Sequence, residues 1–170
     1  TIERIGKPET IVGVSGYCGR YTKRVDVPVV GQYITADEAV VKALKPDLIL
    51  VTTGVQHKLG LRLGKTSLPV YALPLPQSFH GILENILTVS ALMDDIAAGR
   101  RLCEELRERI DVVRKQARDR SHPSTYIELW FGNDLVEIAG GASLFRDDPR
   151  GYFQPDFDTV AALEPQRVVF

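Results

Sequence analysis

Asp37-Glu38-Ala39-Val40-Val41-Lys42-Ala43-Leu44-Lys45-Pro46-Asp47-Leu48-Ile49-Leu50 reads as a short helix, a proline stop and a buried strand. The same arrangement returns as Asp156-Phe157-Asp158-Thr159-Val160-Ala161-Ala162-Leu163-Glu164-Pro165-Gln166-Arg167-Val168-Val169. Asp37 and Asp156, Val41 and Val160, Ala43 and Ala162, Leu44 and Leu163, and Pro46 and Pro165 coincide at one constant offset, so a single helix–proline–strand unit occurs twice. In each copy proline bars its predecessor from helical geometry and ends the helix there. Between the copies, residues 94–120 predict one long helix. Gly99, Leu102, Cys103, Leu106, Ile110, Val113 and Ala117 recur at three-four spacing, one apolar stripe on a charged rod. At ~1.5 Å per residue the rod is about 40 Å long. The pattern predicts two similar lobes joined by a helical spine.

The rest of the chain fits an alternation of strands and helices. Thr10 to Ser15 predicts a buried strand of the parallel kind, and Val27 to Val30 a short one. A helix is expected over 35–44, then a strand from Leu48 to Thr52 and a short helix over 59–65. Val70 to Leu73 predicts another strand, and Ser78 starts a helix that precedes the long one. Thr125 to Trp130 predicts a strand with Tyr126, Glu128 and Trp130 on one face, followed by a short helix over 133–139. Such alternation indicates α/β architecture with mainly parallel sheets. The expected division is an N-terminal lobe over 1–77, a helical segment over 78–120 and a C-terminal lobe over 121–170. The last strand reaches Phe170 and the second lobe has too few strands to close a sheet, so segments are expected to be missing at both ends. The tight Phe131-Gly132 passage suggests the same at that junction.

Composition narrows the function. In 170 residues, 44% apolar and 25% charged shares are ordinary for a globular protein, so the chain can bury a real core. A net charge of −1, with basic residues spread along the chain, gives no case for nucleic acid. No run of about 18 apolar residues is present, so no membrane-spanning helix is expected. The first residues read as the middle of an element, and no signal peptide is visible. Cys18 and Cys103 lie far apart without metal-type spacing, and Cys103 falls on the apolar stripe.

No catalytic constellation stands out. His57, His80 and His122 are isolated, which fits surface or loop positions. Gly13-Val14-Ser15-Gly16 lacks the dinucleotide spacing, and Gly64-Lys65-Thr66-Ser67 has only the end of a phosphate loop. The aromatics say more. Tyr17, Tyr21, Tyr33, Trp130, Tyr152 and Phe153 all fall at or just after the carboxyl ends of expected strands or in the loops that follow, the edge at which open α/β sheets bind ligands. Thr53, directly after the Leu48–Thr52 strand, joins them as a candidate ligand contact. Aromatic faces hold large planar or apolar ligands by area burial, while tyrosine hydroxyls give directional bonds; packing of loops on the core is the other use of such residues. Glu38 and Asp158 begin the two repeated helices at nearly equivalent places. They suit the positive helix ends as dipole partners, or could make matched contacts with a symmetric basic partner.

Ile-Val-Gly-Val-Ser-Gly-Tyr (11–17), Ala-Leu-Lys-Pro-Asp-Leu-Ile-Leu (43–50), the long helix, Glu-Ile-Ala-Gly-Gly (137–141) and Ala-Leu-Glu-Pro-Gln (162–166) together resemble the substrate-binding proteins of vitamin B12, ferric-siderophore and haem ABC importers. The resemblance covers nearly the whole chain. It implies two small α/β lobes bridged by one rigid helix, the class III periplasmic-binding-protein arrangement, holding a metal chelate between them. It implies a non-enzymatic carrier without a resident cofactor, peripheral to the membrane. The place would be the periplasm or cell exterior, with or without a lipid anchor, and the recipient a dimeric permease. The resemblance places Tyr17 as the tyrosine that stacks on the ligand. Tyr33 and Tyr152 fall where the vitamin B12 binders have tryptophans, and Trp130 lies near the aromatic after the second-lobe strand. Asp158 matches the glutamate that pairs with permease arginines. The first-lobe counterpart is Ala39, with Glu38 one residue early. Family members also begin with a strand and helix ahead of Thr1, carry a longer loop after the Trp130 strand and continue past Phe170. Cobalamin, haem and ferric siderophores all remain open as ligands. The alternatives are a metal-cofactor or nucleotide enzyme of related architecture, and a non-transport interaction domain.

Overall fold

The computed structural model describes residues 1–23, 26–127, 132–148 and 155–169, and the structural statements below concern these. Two compact units emerge, one of residues 1–75 with 85–99 and the other of residues 76–84 with 100–170. The helical stretch expected as a separate segment is thus apportioned between them.

In the first unit, the opening stretch folds around its cap. The Asp37 carboxylate accepts the N–H groups of Ala39 at 2.9 Å and Val40 at 3.2 Å, satisfying donors that the first helical turn leaves open. Helix α1 therefore runs Glu38–Ala43 rather than starting at Thr35. Leu44 closes it, Lys45 turns into the left-handed region at φ 47°, and Pro46 directs the chain into β3, Ile49–Thr52. Strand β3 pairs in parallel with β4, Val70–Leu73, through a crossover on α2, His57–Gly64. Val51 of the strand and Leu59 and Leu63 of the helix form a buried cluster with Ala36, Ile49 and Val70 packed against it. A second parallel pair joins β1, Val14–Ser15, to β2, Val29–Gly31.

The expected buried strand over Thr10–Ser15 is thus reduced to its last two residues. Pro8–Thr10 forms a 3-10 turn, the Ile11 N–H returns to the Pro8 carbonyl at 3.2 Å, and Val12 is 44% exposed. The local turn begun at Pro8 captures backbone groups that a longer ladder would need. Between the two strand pairs lies a cavity of about 710 Å³, lined among others by Val14, Val30, Leu44, Leu50, Val51 and Leu63.

Helix α3 spans Phe79–Leu92 and α4 spans Ile96–Ala117. The long helix begins two residues later than the periodicity suggests. Asp94 sits at φ 54°, and the Asp95 carboxylate caps the new helix by accepting the Ala98 N–H at 3.0 Å. Of its apolar stripe, Leu102, Cys103 and Ala117 are buried, whereas Val113 remains 40% exposed.

The second unit holds a three-stranded parallel sheet ordered β6-β5-β7, with β5 at Ser124–Ile127, β6 at Ala142–Ser143 and β7 at Arg167–Val169. Helix α5, Gly132–Ile138, buries Val136 and Ile138. The second copy of the repeat repeats the backbone as well. Asp156 caps α6, Phe157–Ala162, by accepting the Thr159 N–H at 2.7 Å. Val160 is buried like Val41, and Glu164 before Pro165 takes φ 47°, the value at Lys45. Gln166 then fixes the register, its Oε1 accepting the Ser124 N–H at 3.0 Å while its own N–H donates to Ser124 Oγ at 3.1 Å. Among the described residues no helix is long and apolar enough to cross a membrane.

Candidate functional site

Tyr17 and Tyr33 each stand two residues beyond the carboxyl end of a strand, β1 and β2 respectively. Because β1 and β2 are neighbouring parallel strands, their loops emerge at the same edge. The rings meet edge to face, centroids 5.9 Å apart and planes at 64°, the geometry that aromatic quadrupoles favour. They keep 49% and 40% of their surface exposed, so the pair presents area rather than spending it on the core.

Backbone and polar side chains hold this pair. After β1 the chain enters a 3-10 turn, Cys18–Arg20, closed by the Arg20 N–H to the Tyr17 carbonyl at 3.2 Å. Side chains three apart in a 3-10 turn eclipse, and the Arg20 guanidinium accordingly lies 5.5 Å from the Tyr17 ring centroid. Glycine is required at 31, where a Cβ would come 2.1 Å from the Thr35 carbonyl oxygen, because the chain turns back tightly there. Gln32 donates its N–H to that carbonyl at 3.0 Å, and the turn it closes carries Tyr33.

Gln56 supplies a link across the sheet edge. Its Oε1 accepts the Thr52 N–H at 2.7 Å and the Thr52 hydroxyl at 3.2 Å, while its Nε2 donates to the Tyr33 carbonyl. Tyr33 is therefore tied to the carboxyl end of β3. Thr53 follows at that end, exposed, with its Oγ1 accepting the Leu75 N–H at 3.0 Å. Tyr21 is 84% exposed, and Trp130, Tyr152 and Phe153 lie outside the described residues. Glu128 and the aromatic loop 151–154 lie outside them too.

Neither Gln56 nor the stacking of Arg20 on Tyr17 was drawn from the sequence. The Arg20 stack could have been drawn from Tyr-x-x-Arg in a glycine-containing turn. Gln56 carries no such signal, since its partner Tyr33 is remote in sequence.

The two acidic candidates differ. Glu38 Oε1 pairs with Arg62 Nε at 2.8 Å, and Arg62 also donates to the Ala36 carbonyl at 3.2 Å. Asp158 lies exposed in the first turn of α6. His80 lies 3.4 Å from Glu84, both exposed, and His122 Nδ1 lies 2.7 Å from the Gly140 carbonyl oxygen. No grouping of three His, Cys, Asp or Glu side chains able to hold a metal occurs among the described residues. Cys18, Gln32 and Gln56 line the 710 Å³ cavity, whereas Tyr17, Tyr33 and Thr53 line neither it nor a 400 Å³ one bounded by Phe79, Arg107, Asp111, Arg114 and Asp134.

No curated protein matches the chain by sequence. Among solved structures, an ABC transporter substrate-binding protein from Listeria monocytogenes EGD-e is similar at 22% identity and a TM-score of 0.84, covering 99% of this chain and 70% of its own. The periplasmic vitamin B12 binding protein BtuF of Vibrio cholerae is similar at 20% identity and a TM-score of 0.76, over 98% of this chain and 70% of that one. IsdE of S. aureus, solved with heme, reaches 20% identity and a TM-score of 0.81, over 99% and 71%. The small parallel sheets and long helix are those of the class III periplasmic-binding-protein fold. The periplasmic binding protein family model matches residues 1–170, and the chain belongs to that family.

Proposed function

We propose that this chain is the solute-binding component of an ABC importer, acting outside the cytoplasmic membrane and capturing cobalamin or a ferric chelate, siderophore or haem, without chemistry on it. The observation that carries this reading is the half-exposed Tyr17–Tyr33 pair at the carboxyl edge of neighbouring parallel strands. The fold's likeness to vitamin B12 and haem binding proteins supports it.

A tyrosine can bury roughly 150–250 Å², so the surface left on each ring is about 100 Å². Covering both rings at ~25 cal/mol per Å² contributes on the order of 5 kcal/mol. Micromolar binding needs about 8 kcal/mol and must also offset the cost of association. The pair therefore supplies part of an affinity, and Trp130, Tyr152, Phe153 and Thr53 are proposed to supply the rest. Glu38 and Asp158 are proposed as the charges that meet a permease dimer.

Titrating the protein with cyanocobalamin, hemin and a set of ferric siderophores tests the reading, followed by calorimetry and by the fluorescence of Trp130, the single tryptophan. Micromolar or tighter binding of one of them, weakened at least tenfold in Tyr17→Ala/Tyr33→Ala, is expected. Flat titrations throughout refute it.

A further inference from the structure

We propose that Arg20 selects ligands bearing carboxylate or other anionic groups, which narrows the proposed binding function to anionic chelates and rests on that reading. The geometry is local and specific. The 3-10 turn holds the guanidinium over the face of Tyr17, and Tyr17 in turn abuts Tyr33, so cation and rings form one surface. Stacking occupies the guanidinium's face and leaves the N–H donors at its edge for a partner. Arg62 is tied to Glu38 and Arg146 to Glu137, whereas Arg20 meets no carboxylate among the described residues.

The surrounding chain sharpens the charge. From Gly16 to Arg24 the sequence holds Arg20, Lys23 and Arg24 and no Asp or Glu, a local excess that the net charge of −1 conceals. The Glu3 carboxylate reaches this loop at its far end, where it accepts the Thr22 hydroxyl and the Lys23 N–H.

A ligand that covers the tyrosine pair also strips water from Arg20. A neutral ligand leaves that cation desolvated and unpaired, which costs affinity. An anionic group at the ring's edge accepts charge-assisted hydrogen bonds instead, and such bonds carry tenfold or more in affinity. The site thus discriminates by charge as well as by area, and it disfavours the neutral corrin of cyanocobalamin against haem or an acidic siderophore.

Calorimetric titration of the whole protein with charge-matched probes tests this. Hemin is compared with hemin dimethyl ester, and an anionic ferric tris-catecholate with cationic ferrioxamine B and neutral cyanocobalamin. Each is titrated into wild type, Arg20→Met and Arg20→Lys. The expected result is at least tenfold preference for an anionic member, lost in Arg20→Met through weaker binding of that member alone and partly kept in Arg20→Lys. Tightest binding of a neutral or cationic probe, or a preference unchanged in Arg20→Met, overturns the inference while leaving ligand capture intact. No binding by any probe refutes ligand capture itself, and the inference with it.

Discussion

Gly99→Ala tests how α3 meets the start of α4. A Cβ built on Gly99 comes 2.0 Å from Ser90 Oγ and 2.5 Å from Ser90 Cβ, and Ser90 is fully buried. Helix propensity alone favours the substitution by about 1 kcal/mol. Packing opposes it. Rotating the Ser90 hydroxyl, which now donates to the Leu87 carbonyl at 2.9 Å, removes the first clash but not the second, because Ser90 Cβ is fixed to its backbone. Relief therefore requires the helices to separate by about 1 Å, and overpacking of this kind costs typically 1–3 kcal/mol. The packing term wins, for a net loss of about 1 kcal/mol and a fall in melting temperature of about 2–4 °C. Urea unfolding of Gly99→Ala, Ser90→Ala, Ser90→Gly and the two double variants measures it. Ser90→Gly should rescue Gly99→Ala by removing the Cβ contact, and Ser90→Ala should not. A Gly99→Ala protein more stable than wild type, or equal rescue by both partners, would refute the close approach.

Three further outcomes are expected. Lys45→Gly and Glu164→Gly should each stabilise by about 0.5 kcal/mol, since left-handed geometry costs an L-residue ~1–2 kcal/mol and glycine gives back part of that as unfolded-state entropy. Lys42→Gly, inside α1, should lose about 1 kcal/mol, and a melting series in which Lys45→Gly behaves the same way contradicts the assignment. The Thr159 N–H and hydroxyl hold the Asp156 carboxyl below its ordinary 3.8, so the ionised cap contributes stability above that pH and loses it as pH falls through the lowered folded value. Asp156→Asn, which keeps an acceptor, should abolish that acid dependence in chemical unfolding, and an unchanged profile would rule the cap out as its source. Cys103 is 1% exposed and burial raises its thiol pKa against the opposing pull of Arg107, so alkylation at pH 8 should label half-buried Cys18 first and Cys103 only on unfolding. Equal labelling rates would show that α4 opens locally.

The repeated module was legible because each feature that shapes it is a residue type with one mechanical role. Aspartate caps the first turn, valine three positions beyond the first helical residue faces inward, and proline forbids continuation. What the sequence did not display was the left-handed residue before each proline, since lysine and glutamate carry no bias toward φ 47°. The Thr10–Ser15 run misled for a related reason. A β-branched apolar string fixes where a strand is favourable, not whether Pro8 has already turned the backbone before it. The site was legible to the extent that it depends on strand ends. Tyr17 and Tyr33 are placed by strand order alone, whereas the Gln56 link depends on which loops fold back on one another, and no spacing encodes that.

The repeat also bears on what could read the two acidic side chains. Backbone equivalence aligns Glu38 with Phe157, and Ala39 with Asp158. One residue along an α-helix turns a side chain by about 100°, so carboxylates at the first and second helical positions project on different faces. Glu38 is further held toward Arg62 at 2.8 Å, while Asp158 stands exposed. A partner built from two identical basic surfaces therefore meets two unlike acidic ones. If both carboxylates dock, the Glu38 contact must either exchange with Arg62 or add to that pair, and Arg62→Met separates the two. Freed Glu38 should tighten permease docking in the first case and leave it unchanged or weaker in the second, while Asp158→Asn should weaken docking in both. An Asp158→Asn protein that docks like wild type would remove the second repeat from the interface and leave its acidic residue a partner of the α6 dipole alone.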